Sequence, residues 1–247
     1  MLNNPIIFLT GCIDPQNMSF TILKDIESRK QHYLDSIRYY LKRTDLPILF
    51  VENSGNDVSC FFSNEIESNR LEILTFHGND YERDLGKGYG EMLILEHATL
   101  FSHLFKKASY IFKITGRYKV LNINSYIKYY YEKKESFDLL INFSPNLAFV
   151  DSRFWGASPC FFTDRLLKYK DIINDSKSVY FEHALSKAIH ESIINGSKYS
   201  SLCNYPRYSG IYGTLGTSYD DSFLFWFPRE ILFKILNRIQ EYLQIRS

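Results

Sequence analysis

Neither G-x-G-x-x-G nor G-x-x-x-x-G-K-[ST] occurs in the 247-residue sequence. The dinucleotide fingerprint and the phosphate loop therefore cannot explain any nucleotide site here. The four cysteines, Cys12, Cys60, Cys160 and Cys203, show no C-x-x-C spacing. That removes the sequence signal for a zinc site or a disulfide framework, and a reducing cytoplasm is the simplest setting. His190-Glu191 does not extend to H-E-x-x-H, which excludes metalloprotease chemistry of that kind. No apolar run approaches the roughly 20 residues of a membrane-spanning helix. The first residues lack the charged, apolar and cleavable segments of a secretory signal. The expectation is a soluble chain, peripheral to a membrane at most. A net charge of +1 supplies no bulk positive field, so a nucleic-acid partner is not expected. Repeats, low-complexity tracts and Pro/Ser/Gly linkers are also absent, so residues 1–247 read as one domain.

What is present is an alternation of patterns. Pro5 to Thr10 (PIIFLT), Pro47 to Val51 (PILFV), Arg70 to Phe76 and Tyr110 to Ile114 are short apolar runs that read as buried strands. Tyr33, Ile37, Tyr40 and Leu41 fall at helical spacing in Arg29 to Lys42. Glu91 to Phe105, Ser125 to Lys134 and Tyr180 to Glu191 also read as helices, and residues 229–245 form an amphipathic C-terminal helix. Phe137 to Asn142 and Phe154 to Thr163 read as further strands, and Tyr208 to Tyr219 as a glycine-rich loop. Strands alternating with helices predict an α/β domain with a mostly parallel sheet and helices on both faces. Aromatics make up 17% of the chain, enough to fill a core and to supply faces for bases or sugars.

Ligands of open α/β sheets collect outside the carboxyl ends of the strands. That makes Thr10, Gly11 and Asp14 after the first strand, and Thr115, Arg117 and Tyr118 after the fourth predicted one, candidate contacts. Lys87 and Gly88 lie in DLGKGYGE, where three glycines around a lysine before a helix suit an anion such as a diphosphate. The plainer alternative is a flexible loop. Arg117 offers a planar fork for phosphate or carboxylate, or else pairs with an acid beneath the sheet. Glu182, early in its helix, can serve as a general base or simply profit from the helix dipole. His183 is either a ligand contact or a satisfied, partly buried histidine. Arg207, Tyr212 and Tyr219 belong to a stretch that could close over a substrate.

The strings PIIFLTGCID, GKGYGEMLILEHA, YIFKITGRYKV, WGASPCFFTDRLL and YFEHALSKAI, in this order, resemble the GT-A-type glycosyltransferases. These are nucleotide-diphospho-sugar transferases, and the nearest likeness is to the small bacterial enzymes of lipopolysaccharide, O-antigen and capsule synthesis. The resemblance spans nearly the whole chain. It implies a single Rossmann-type GT-A domain that moves a hexose from a nucleotide-sugar donor to a glycan or lipid-linked acceptor hydroxyl. It also implies an inverting reaction with Glu182 as base, in the cytoplasm or peripherally at the inner face of the cytoplasmic membrane. The alternatives are a sugar nucleotidyltransferase or a degenerate protein that binds nucleotide-sugars without turnover. Where the family carries D-x-D for Mn²⁺ or Mg²⁺, this chain has Thr115-Gly116-Arg117. No metal ligand is assigned. The expectation is a metal-independent enzyme with Arg117 and Lys87 neutralising the diphosphate, and dependence on Mn²⁺ or Mg²⁺ stays open.

Overall fold

The computed structural model describes residues 4–16, 18, 22–144, 146–211, 218–220 and 222–244, without the side chains of 211, 218–220 and 240–244. Four of its strands are parallel neighbours: β1 (Ile6–Gly11), β2 (Ile48–Glu52), β3 (Leu71–Thr75) and β4 (Ile111–Thr115). β1 and β2 are buried along their whole length, as expected of strands covered on both faces. The short strands β6 (Leu139–Leu140), β7 (Phe154–Ala157) and β8 (Tyr199–Ser200) extend the sheet to the order β3-β2-β1-β4-β7-β6-β8. Of these, β7 runs antiparallel to both neighbours. The predicted mostly parallel α/β architecture is therefore present. A second, three-stranded sheet joins β5 (Lys119–Val120), β9 (Tyr208–Ile211) and β10 (Ser218–Asp220).

Helices cover both faces. Against one lie α1 (Ile26–Arg43) and α5 (Ile123–Lys133), with Tyr33, Ile37, Tyr40, Tyr126 and Tyr130 in the core. The short α2 (Ser63–Glu67) leads into β3. Against the other face lie α3 (Gly86–Phe101), α4 (His103–Lys107), α6 (Pro159–Asp164) and α7 (Phe181–Ile194). α8 (Phe223–Gln244) closes the described chain. Tyr33, Tyr40, Tyr110, Tyr118, Tyr126, Tyr130 and Tyr208 are core groups and not stacking surfaces. Tyr40 donates to the Tyr118 carbonyl at 2.9 Å and accepts from the Val120 N–H at 2.8 Å.

Four elements differ most from the sequence pattern. The helix predicted from Glu91 starts at Gly86, so the glycine-rich stretch is its first turn and not a loop. It breaks at Ser102, where the Glu72 carboxylate accepts from Ser102 Oγ (2.7 Å) and from the His103 and Leu104 N–H groups (both 2.8 Å). The run from Phe154 is a strand only to Ala157, because Pro159 opens α6 at a position where its missing N–H costs nothing. Tyr208 to Tyr219, expected as a loop, begins and ends in the paired strands β9 and β10. Residues 212–217 between them lie outside the described residues. The C-terminal helix begins at Phe223, ahead of Pro228.

Candidate active site

The parallel register sets Thr10 beside Thr115 and Gly11 beside Glu52 at one edge of the sheet. The loop after β1 is pinned there by two buried charges. Glu52, fully buried, accepts from the N–H groups of Ile13 (2.8 Å), Ser54 (3.0 Å) and Asn56 (2.9 Å) and from the Ser54 hydroxyl. Burial raises its pKa, and these hydrogen bonds oppose the rise. Arg29, on α1, donates from Nε to the Ile13 carbonyl at 2.9 Å and from Nη2 to that of Cys12. Both side chains are positioning groups for the loop.

Between this loop, the start of α3 and the end of β4 lies a cavity of ≈ 660 Å³ whose lining includes Tyr33, Asn53, Lys87, Glu91, Thr115 and Arg117. A second cavity of ≈ 1070 Å³ shares Lys87, Glu91 and Thr115 with it and continues to Ser152, Asp175 and Glu182. The two form one cleft along the carboxyl edge of the sheet. In its floor Lys113, 1% exposed, is ion-paired with Glu91 and donates to the Ser152 carbonyl at 3.2 Å. Glu91 also accepts from the Thr10 hydroxyl at 2.9 Å.

The cation side of the cleft is Lys87 and Arg117. Arg117 has Nε and Nη1 buried with no hydrogen-bond partner, and it forms no ion pair among the described residues. Buried donors of this kind are costly unless a ligand meets them. The Lys87 ammonium is pushed down to about 8, chiefly by burial and then by the Arg117 charge. The α3 N-terminus is not an open anion site. Asp175 Oδ2 accepts from the Lys87 N–H at 3.0 Å, so the chain's own carboxylate caps the helix. Gly86, at φ +77°, has no room for a Cβ because Asp175 Oδ2 would lie 2.0 Å from it.

At the far end Glu182 Oε1 accepts from the Ser152 hydroxyl at 2.7 Å and faces the cleft. Burial raises its pKa, while the Ser152 bond and the Lys113 charge pull it back.

Of the residues singled out from sequence, Thr10, Gly11, Lys87, Gly88, Thr115, Arg117 and Glu182 line this cleft. Others do not. The Asp14 carboxylate accepts from the Gln16 N–H at 2.9 Å within its own turn. Tyr118 is buried in the core, 6.0 Å from the Tyr208 ring. His183 Nδ1 accepts from the Tyr180 N–H at 3.0 Å at the start of α7. The Arg207 N–H donates to Asn122 at 3.0 Å beside β9, away from both cavities. Tyr212 lies outside the described residues, as does the Tyr219 side chain, whose backbone pairs with Gly210. Lys113, Glu91 and Asp175 are additions. Only the presence of Lys113 inside an apolar strand marks one of them in the sequence.

The residues at the end of β4 do not suit a divalent cation. Thr115, Gly116 and Arg117 bring a positive charge where carboxylates would be needed, Glu91 is already paired with Lys113, and Asp151 is paired with Arg153 at 2.7 Å. Among the described residues no three His, Cys, Asp or Glu side chains converge to hold a metal.

No protein-family model matches the chain, and no curated protein matches it. Among solved structures it is similar to the glycosyltransferase GlyE of Streptococcus pneumoniae TIGR4, with TM-score 0.48 and 9% identity over 81% of this chain and 46% of that one. It is also similar to S. aureus TarS in complex with UDP, with TM-score 0.46 and 11% identity over 82% of this chain and 59% of that one. A third is a cytidylyltransferase of Leptospira borgpetersenii, with TM-score 0.41 and 10% identity over 82% of this chain and 77% of that one. The chain thus spans less than two thirds of the length of GlyE and of TarS. Likeness at this level fixes neither substrate nor reaction.

Proposed function

We propose that the cleft transfers a sugar from a nucleoside-diphosphate donor to an acceptor hydroxyl. The observation that carries this reading is Arg117: a guanidinium with buried, unpartnered donors beside a depressed lysine, in a cleft whose other end holds a raised carboxylate. Two cations and a base at opposite ends of one cavity suit a displacement in which negative charge develops on the leaving group. In the proposed step Glu182 takes the acceptor's proton as the acceptor oxygen bonds to the anomeric carbon. The bond from that carbon to the diphosphate breaks, and its electron pair leaves on the phosphate oxygen toward Lys87 and Arg117. Attack opposite the leaving group inverts the anomeric centre. Ser152 holds the Glu182 carboxylate, and Asn53, whose buried amide oxygen has no partner, suits an N–H of the base. A lipid-linked glycan of a bacterial surface polysaccharide is the acceptor this reading favours.

Two results are expected. Donor turnover in EDTA should equal that in Mn²⁺, because the cations of the chain occupy the place of a metal; loss on chelation with recovery on adding metal would refute that. Affinity for a nucleoside diphosphate should be level up to about pH 8 and then fall by at most about tenfold per pH unit. The sign follows from Lys87: above its depressed pKa the free protein must take up a proton to pair with phosphate. Calorimetric titration from neutral to alkaline pH checks this, with Lys87→Gln expected to flatten the profile. A sloping profile that persists in the Gln variant would clear Lys87 of phosphate contact.

A further inference from the structure

α8 is held to the domain by one stripe of its surface. Trp226 Nε1 donates to the Tyr205 carbonyl at 2.9 Å, and Glu230 accepts from the Tyr205 N–H at 2.6 Å. Phe233 packs at the edge of the Tyr205 ring, and Asn237 donates to the Leu202 carbonyl at 3.0 Å. These positions recur every three or four residues and so mark one face. On the opposite face Leu224, Phe225, Leu232, Ile235, Leu236 and Ile239 are between 50% and 81% exposed. Such a contiguous apolar surface is unusual on a protein that meets only water.

The borders of that face are cationic. At 3.6 residues per turn, Arg229 falls beside Phe225 and Leu236, while Lys234 and Arg238 fall on the other side next to Ile231 and Ile235. Lys234 is paired with Glu230 at 2.7 Å, on the docked side. Among the side chains described, the exposed face carries no carboxylate.

We propose that α8 lies flat in the headgroup region of an anionic bilayer, with its apolar face among the acyl chains and Arg229 and Arg238 against lipid phosphates. An apolar face bordered by arginines is the pattern of an interfacial helix. No helix among the described residues is long and apolar enough to cross a membrane, so the contact is parallel to the surface. Charge decides against a second copy of the chain as the occupant. Two such faces in contact would bring like-charged borders together, Arg238 against Arg238 among them. The proposal stands on α8 alone and holds whether or not the cleft transfers a sugar.

The test is flotation of the full chain with phosphatidylcholine vesicles, with and without about 30% phosphatidylglycerol. Most of the protein should float with the anionic vesicles at low salt and little with the neutral ones. Ile235→Asp with Ile239→Asp should cut the bound fraction at least about tenfold, and Arg238→Glu or high salt several-fold. All these positions face away from the domain, so the melting temperature should hold, and Arg238→Glu reads out the charge contribution without touching the apolar face. Protein that stays unbound with every vesicle overturns the proposal. So does light scattering that shows a dimer which Ile235→Asp dissolves, since a second copy would then cover the face.

Discussion

Glu182→Gln is expected to lower kcat by about 10²–10⁴-fold while leaving donor affinity within about twofold of the native value. The substitution keeps the shape that accepts the Ser152 hydroxyl and removes the proton acceptor. It also relieves a buried carboxylate whose ionised form burial disfavours, so the melting temperature should not fall. The pH profile supplies the sign. A base with a raised pKa loses activity as pH falls through that pKa, so the acid limb of the native enzyme should lie above the ordinary glutamate range. The Gln variant should lack that limb. Unchanged turnover in Glu182→Gln would remove Glu182 from the chemistry.

Arg117→Ala is expected to weaken donor binding by about 10- to 100-fold, as befits loss of charge-assisted hydrogen bonds worth about 1.5–3 kcal/mol. The buried Nε and Nη1 have no partner to lose, so stability should hold or rise slightly. An arginine that braced the fold would behave the opposite way, with a lower melting temperature and unchanged affinity. Arg117→Lys should fall between, because the charge remains while the planar fork does not. Calorimetry of nucleoside-diphosphate binding alongside thermal melts separates the two roles.

The strands that carry the carboxyl edge are legible because buried parallel strands read as short apolar runs, as in β1 and β2, while their order in the sheet is not. Arg117 stands out because it follows such a run, and Glu182 because it lies early in a helix with an apolar face. Lys113 interrupts the apolar run IFKIT, but its role shows only when Glu91, 22 residues earlier, is seen to meet it. Asp175 was invisible for the same reason. Its partner is a backbone N–H 88 residues away, and only the folded chain shows that the helix start expected to receive a phosphate is already capped. The glycine-rich stretch was read as a loop because glycine weakens helices, yet packing against α7 leaves no choice: a Cβ on Gly88 would sit 2.9 Å from the Phe181 nitrogen. The amphipathic pattern places the last helix at residues 229–245, whereas α8 starts at Phe223 and carries Pro228 about one and a half turns inside.

Departure of a nucleoside diphosphate from a sugar in this cleft is measured by nucleotide release from a panel of UDP-, GDP- and CMP-sugars by the purified chain. Slow release of the diphosphate from one class of UDP- or GDP-sugar is expected, accelerated by the right acceptor and lost in Arg117→Ala. A nucleotide that raises the melting temperature while every donor stays intact would contradict it. So would sugar 1-phosphate and nucleoside triphosphate appearing when pyrophosphate is supplied.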